Sequence, residues 1–477
     1  FRAFFTHFLS KLHVVPPDDE ICLHLFLKML LTSEMRLRII MARVKCDYTQ
    51  IVYEVSPFVK SFERKIMERV ILHSDLNCFY ASVEMLLNPD LRNKAVAVCG
   101  STESRHGIIL AKSELAKKRG VKTGMVNWEA RQCCPGIIMV PPQYDEYLKF
   151  SKLTRAIYER YSNQVEGYGM DECWVDVSGS GLFGSGFEIA EEIRKTVKAE
   201  LGLTVSIGVS YNKIFAKLGS DLKKPDAITC ISRDDFKERI WPLPASDLLY
   251  VGRATTNKFD SYGIHTIGDI ANTSQEFLKQ MLGVNGIALW SYANGLDNSR
   301  VMPGDYVSPV KSIGHGITCN ADLENNEEVW KVMLELSQDI GHRLRLHELT
   351  ARGVQIFIRD NDLYYKQFQA PLEFQTQSPK EIACKARQVF EANYHWVNKV
   401  RAVTVRAINL IPIDTPSQIS FFEDAAKRDK RERLDTTVEE IRSRFGKHAI
   451  TSACLMGNLK MPCDGREIVK MPGMMYQ

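Results

Sequence analysis

Between residues 68 and 240, short apolar runs alternate with longer segments of helical period. The runs RVILHSD, AVAVCG, GIIMVPP, ECWVDVS, LTVSIGVS and AITCI read as strands, and segments such as EIAEEIRKTVKAEL read as the helices between them. That alternation predicts an α/β or α+β domain. Residues 241–300 read as short helices broken by glycine, and NSRVMPGDYVSP after them reads as a linker. From 309 to 412 the order is strand, helix, strand, strand, helix, strand, which is the split-βαβ, ferredoxin-like pattern. The tail, 413–477, holds one charged helix and little that reads as core.

At 477 residues the chain is too long for one ordinary core, so several domains are expected. Lys plus Arg (62) barely exceeds Asp plus Glu (58), so any nucleic-acid-binding surface has to be local rather than global. The 12 cysteines are scattered without a CxxC pair, which favours a reducing cytoplasm over zinc or a disulfide framework. The apolar stretch ICLHLFLKMLL near the start is about half the length of a bilayer span and contains His24 and Lys28, so no membrane segment is expected. Residues 1–66 share none of the motifs below. They read either as an extra helical element or as sequence upstream of a natural start at Met67, and the second reading is favoured.

The chemistry gathers around carboxylates. Asp75 ends an apolar strand, and Asp171 and Glu172 stand side by side at another in GYGMDECWVDVS. Adjacent strand residues point to opposite faces, and carboxylates are rarely buried without a partner. If the two strands are neighbours, all three can converge on hard cations, with magnesium the natural choice for an all-oxygen site completed by phosphates. A turn or helix cap would explain the same residues singly. Asp176, five residues past Asp171, reads as structural.

SDLNCFYASVE, GMDECWVDVS and SIGVSYNKIFAKLGSDLKKP, in this order, resemble the palm and finger motifs of bacterial Y-family translesion DNA polymerases. The likeness covers about 68–412 and a tail motif. It implies a multidomain α+β fold shaped as a right hand. The palm would be 67–78 and 144–240, the fingers 79–143, and a helix-hairpin-helix thumb 241–300. A linker (301–308), a ferredoxin-like little finger (309–412) and a tail (413–477) would follow. The implied activity is template-directed, low-fidelity addition of deoxynucleotides to a primer 3′ end, bypassing lesions in DNA repair and the damage response. A catalytically silent DNA- and clamp-binding scaffold of the same fold is the alternative. The resemblance leaves open the DNA polymerase IV branch and the branch of polymerase V catalytic subunits and their Gram-positive relatives, the second being suggested by the tail and DLLYVGR.

Carried over by residue, the resemblance implies that Asp75 and Asp171 ligate two Mg2+ ions, with Glu172 and the Leu76 carbonyl completing the site. Tyr80 occupies the steric-gate position, whose ring excludes a ribose 2′-hydroxyl, with Phe79 packed beneath. Lys224 and Lys117 would grip the triphosphate, and Lys213 would support. The fingers run LAKSELAKKRGVKTG departs from the commoner pattern, with Glu114 where tyrosine is usual and Lys117 where arginine is usual. Lysine is a point charge rather than a fork, and a carboxylate facing phosphates would repel them.

Gly252 and Gly263 would make tight thumb turns whose N–H groups meet DNA phosphates. Lys311, Arg352, Arg359, Arg401 and Arg406 lie on or beside little-finger strands, where a basic face along the duplex would make binding steeply salt-dependent. Gln418, Ile419, Ser420, Phe421 and Phe422 resemble the peptide that docks bacterial polymerases on the sliding clamp, two aromatics being the anchors. The implied setting is a cytoplasmic monomer whose partners are primer–template DNA, deoxynucleoside triphosphates and the clamp.

Overall fold

The computed structural model describes residues 69–100, 107–416 and 425–462. The chain divides into two units, Phe1–Glu68 and Arg69–Gln477, and all described residues belong to the second. Segment 1–66 and the peptide Gln418–Phe422 lie outside the described residues.

Strand β1 (Ile71–Leu76) runs into helix α1 (Phe79–Leu87). A small sheet follows from β2 (Val96–Cys99), β3 (Ile109–Lys112) and β4 (Ile138–Val140), in the order β3-β2-β4, with helices α2 (Glu114–Lys118) and α3 (Asn127–Cys133) between the last two strands. It has its own small core around Ala97, Ile109, Val121 and Cys134. Helix α4 (Tyr144–Tyr158) returns the chain to β5 (Val165–Tyr168) and β6 (Glu172–Asp176). Then come α5 (Gly186–Leu201), β7 (Val205–Ser210), α6 (Lys213–Leu222) and β8 (Ile228–Cys230). These strands form a five-stranded sheet in the order β5-β6-β1-β7-β8, so β1 is central and β6 is its neighbour.

Local chemistry explains the element ends. Ser185 and Glu188 form a reciprocal capping box at the start of α5, and Gly202 closes the helix at φ 66°. Strand β7, VSIGVS, is buried at every position, as expected of a strand covered on both faces. Gly208 within it is required by contact rather than by backbone angle. A Cβ there would lie 1.9 Å from the Ala216 carbonyl oxygen of α6. That close approach presses α6 onto β1 and β7.

Helix α6 also belongs to a second core. Its Ile214, Phe215 and Leu218 pack with Phe259, Ile267, Leu278 and Leu289 of the helical segment. That segment comprises α7 (Phe236–Ile240), α8 (Arg253–Asp260), α9 (Ile267–Asn272), α10 (Gln275–Leu282) and α11 (Val284–Ala293). Gly263 takes φ 72°, and the Ile264 N–H reaches back to the Phe259 carbonyl, so this turn needs its glycine. Gly252 sits at φ −87°, which any residue adopts, with open space where a Cβ would go. The segment read as a linker starts strapped to the first sheet. Val301 is buried beside Ile71 and Trp174, and the Met302 N–H donates to Glu166.

Beyond it lie β9 (Ile313–Leu323), α12 (Asn326–Leu346), β10 (Leu349–Asp360), β11 (Tyr365–Thr376), α13 (Pro379–Asn393) and β12 (Val400–Pro412). The element order is the one read from the sequence, and the strand pairing within it is a variant of the ferredoxin-like arrangement. A ferredoxin-like sheet is antiparallel throughout and sets its first and third strands side by side at its centre. Here too every pair is antiparallel, but the order β11-β10-β12-β9 puts those two strands at opposite edges. The succession of elements does not fix which strands pair.

The tail also differs from its reading. Helix α14 (Ala425–Phe445) pairs with α12 and α13 through Glu439 with His342, Arg442 with Gln338 (2.8 Å) and Arg431 with Glu381 (2.6 Å). Leu455 is buried against Leu334 and Ala383, and the Asn320 N–H of β9 donates to the Lys460 carbonyl. A charged sequence conceals this docking, because most of its anchors are ion pairs.

Candidate active site

The β1–β6 ladder sets Asp75 directly opposite Glu172, and the Leu76 N–H donates to the Asp171 carbonyl at 3.0 Å. The three acidic residues about a hundred positions apart are thus neighbours at one end of the central strands. Helix α6 brings cations to them. Lys217 Nζ lies 3.0 Å from Glu172 Oε2 and 3.9 Å from Asp75 Oδ2. Lys224, just past the helix end, donates to Asp75 Oδ2 at 2.7 Å and pairs with Asp221 at 2.8 Å. Lys217, Asp221 and Lys224 recur at i, i+4 and i+7, a helical spacing that could have disclosed Lys217 and Asp221 from the sequence.

His73 is fully buried beneath the carboxylates. Its Nδ1 lies 2.8 Å from Ser220 Oγ and its Nε2 3.3 Å from Glu172 Oε2. Burial holds its pKa down at about 4, so the ring is neutral at physiological pH. Burial pushes Asp75 up to about 7 despite the opposing Lys224 charge. Burial and then the Glu172 charge push Asp171 up to about 6. Burial acts upward on Glu172 as well, but His73 and Lys217 beside it hold it at about 2. Two of the three acids are thus held above the usual carboxylate range, a deficit of positive charge that further cations would correct.

Among the described residues, no group of three or more His, Cys, Asp or Glu side chains stands arranged to hold a metal ion. Two features nevertheless fit one. The donor set of Asp75, Asp171, Glu172 and the main chain is all oxygen, and Glu172 Oε2 is a buried carboxylate atom already faced by the Lys217 ammonium at 3.0 Å. The two lysine ammoniums supply positive charge at the carboxylates where a cation would.

Tyr80, at the second position of α1, is half-buried and stacks on Tyr147 with centroids 4.2 Å apart and planes 9° apart. Its hydroxyl lies 3.3 Å from Met170 Sδ, one residue before Asp171, so the ring is locked beside the acidic cluster. Tyr147 is fixed in turn by a 2.5 Å hydrogen bond to the buried Glu84. Phe79 is buried beneath, as read.

Lys213 binds both Glu166 oxygens at 2.7 Å and covers the Trp174 ring, which makes it a support. Asp176 caps a turn, accepting from the Ser178 N–H and hydroxyl, and is structural too. Lys117 lies on α2, half-exposed and 3.8 Å from Glu114, and Glu114 also accepts from the Cys78 thiol. The structure thus places Lys224 at the carboxylates and Lys117 on the fingers side of α1.

In the far sheet, Gln355, Phe357, Arg359, Thr404 and Arg406 alternate with buried Val354, Ile356, Ile358, Val403 and Val405, and so share the face away from the helices. Gly314 and Gly316 oppose Arg406 and Thr404, leaving that face bare along β9. Arg352 and Arg401 sit at register shifts of the sheet, which explains why spacing alone could not assign Arg401. Lys311 is exposed just before β9.

Comparison with known proteins agrees with this arrangement. The model of the impB/mucB/samB family matches residues 74–221, and that of its C-terminal domain matches residues 310–421. A DNA polymerase IV of Acetivibrio thermocellus is 52% identical over 391 residues, covering 82% of this chain and 98% of the relative. A DNA polymerase IV 1 of Bacillus subtilis is 34% identical over 79% of this chain and 91% of its own length. Among solved structures, a Y-family DNA polymerase chimera superposes with a TM-score of 0.63 at 21% identity, over 72% of this chain and 99% of the chimera. Sequence relatives along four-fifths of the chain and a shared architecture lead to one conclusion: the chain belongs to the impB/mucB/samB family of bacterial Y-family DNA polymerases.

Proposed function

We propose that the protein is a template-directed DNA polymerase that extends primers past damaged bases with low fidelity. The observation that carries this reading is the meeting of Asp75, Asp171 and Glu172 at one end of β1 and β6, beside Lys217 and Lys224. Asp75, Asp171, Glu172 and the Leu76 carbonyl would hold magnesium. When bound, the metal would activate the primer 3′-hydroxyl and neutralise the departing pyrophosphate. Lys224, now spent on Asp75, becomes free for the triphosphate once that carboxylate has another cation to face. Tyr80, clamped by Tyr147, presents a rigid ring to the nucleotide sugar.

Gly252 and Gly263 at the helical turns, with Lys311 and the face bearing Arg359 and Arg406, are assigned to the DNA backbone. Gln418–Phe422 is assigned to a sliding clamp. The chain divides as palm (67–78 and 144–240), fingers (79–143), thumb (241–300) and little finger (309–412), with α6 shared between palm and thumb cores.

Primer extension on undamaged and damaged templates tests the reading. Asp171→Ala is expected to lower the extension rate at least roughly a hundredfold while leaving primer–template binding in place. Normal extension by Asp171→Ala, or none by the intact chain, would overturn it.

A further inference from the structure

The carboxylate of Glu114 lies where a phosphate grip is expected. The Cys78 thiol, at the entry to α1, donates to Glu114 Oε1 at 3.0 Å. Lys117 Nζ is 3.8 Å from the same oxygen, a loose pair whose side chains remain 50% and 35% exposed. Lys112 is close enough to feel the charges of Glu114 and Lys117, and its Nζ donates to Thr123. One carboxylate therefore sits beside Lys117 with Lys112 within electrostatic reach, two residues from the ring of Tyr80 through Cys78, and its contacts are ones that an incoming anion can replace.

We propose that Glu114 is a resident anion standing in for the phosphates of the incoming nucleotide. Without nucleotide it bridges Cys78 and Lys117 and keeps the fingers lysine neutralised. A deoxynucleoside triphosphate takes Lys117, with Lys112 behind it, and displaces the carboxylate toward solvent. Affinity for nucleotide is then set lower than the lysines alone would give, because each binding event separates Glu114 from its partners and brings like charges together. This rests on the polymerase reading above, and it explains a residue that phosphate chemistry alone would forbid at this position.

The test compares Glu114→Gln, Glu114→Ala and Glu114→Asp with the intact chain. Glu114→Gln keeps the length and the acceptor for Cys78 but removes the charge. It is expected to lower the KM for deoxynucleotides about three- to tenfold, with kcat changed less than about twofold. Glu114→Ala should do the same, and Glu114→Asp should stay near the starting KM. Lys117→Met added to Glu114→Gln should erase the gain. Equilibrium binding of a non-hydrolysable deoxynucleotide to the enzyme–DNA complex gives the same ranking without turnover. A KM that is unchanged or raised in Glu114→Gln overturns the proposal while primer extension by the intact chain leaves the polymerase reading standing. Absence of extension by the intact chain overturns both.

Discussion

At the scale of single residues, the site is governed by what burial does to charge. Three acids and two lysines share a small volume, and each ammonium sits where it can neutralise a carboxylate that burial would otherwise protonate. Tyr80 illustrates a different use of burial. Stacked on Tyr147 and held at Met170, its ring cannot swing away from a sugar that approaches it. Tyr80→Ala should raise use of ribonucleotides relative to deoxyribonucleotides by roughly ten- to a hundredfold in primer extension, and unchanged sugar preference would remove the gate from this position. The acids and the ring were legible in the sequence because motifs carry them. His73, Lys112 and the Cys78–Glu114 contact were not. Each depends on which helix packs over which strand, and that information is absent from local spacing.

At the scale of elements, α6 decides whether the site exists. It seats on β7 through Gly208 and delivers Lys217 and Lys224 to β6 and to β1, the latter more than a hundred residues earlier in the chain. Gly208→Ala would drive a methyl into the Ala216 carbonyl and the Ser220 N–H. Lifting the helix should cost about 3 kcal/mol, and a thermal melt should fall by roughly 6–12 °C. A melt unchanged within a degree would show that the helix can shift freely. Strands such as β1, β6 and β7 were readable as unbroken apolar runs. Strands β3 and β5 escaped because ILAK and VEGY are short and mix polar with apolar positions. The little-finger elements were read in order, whereas their pairing was not, since an antiparallel sheet can join the same succession in several ways. Of the two branches the resemblance left open, DNA polymerase IV is the one that names the similar relatives, and the likeness of DLLYVGR and the tail to the other branch did not decide between them.

At the scale of the whole molecule, a net charge of +4 hides a division of labour. Acidic groups concentrate at the β1–β6 end, while Arg359 and Arg406 share the open face of a distant sheet. The helix that serves two cores has a further consequence, for cooperativity. Because Phe215 and Leu218 of α6 are packed with the thumb helices while Gly208 and β1 hold its other side, neither core can melt and leave the other intact. The sheet of β9 to β12 keeps a separate core around Ile340, Ile356 and Val405. Calorimetry of the metal-free chain should therefore resolve two transitions, one for palm and thumb together and one for the little finger with its docked tail. A single transition would mean that the 301–312 connection transmits unfolding. Three would mean that α6 lets go of one of its partners first. Lys224 at the carboxylates is then as stable as the helical turns at Gly252 and Gly263, because they unfold in the same event, whereas Arg359 and Arg406 unfold in the other.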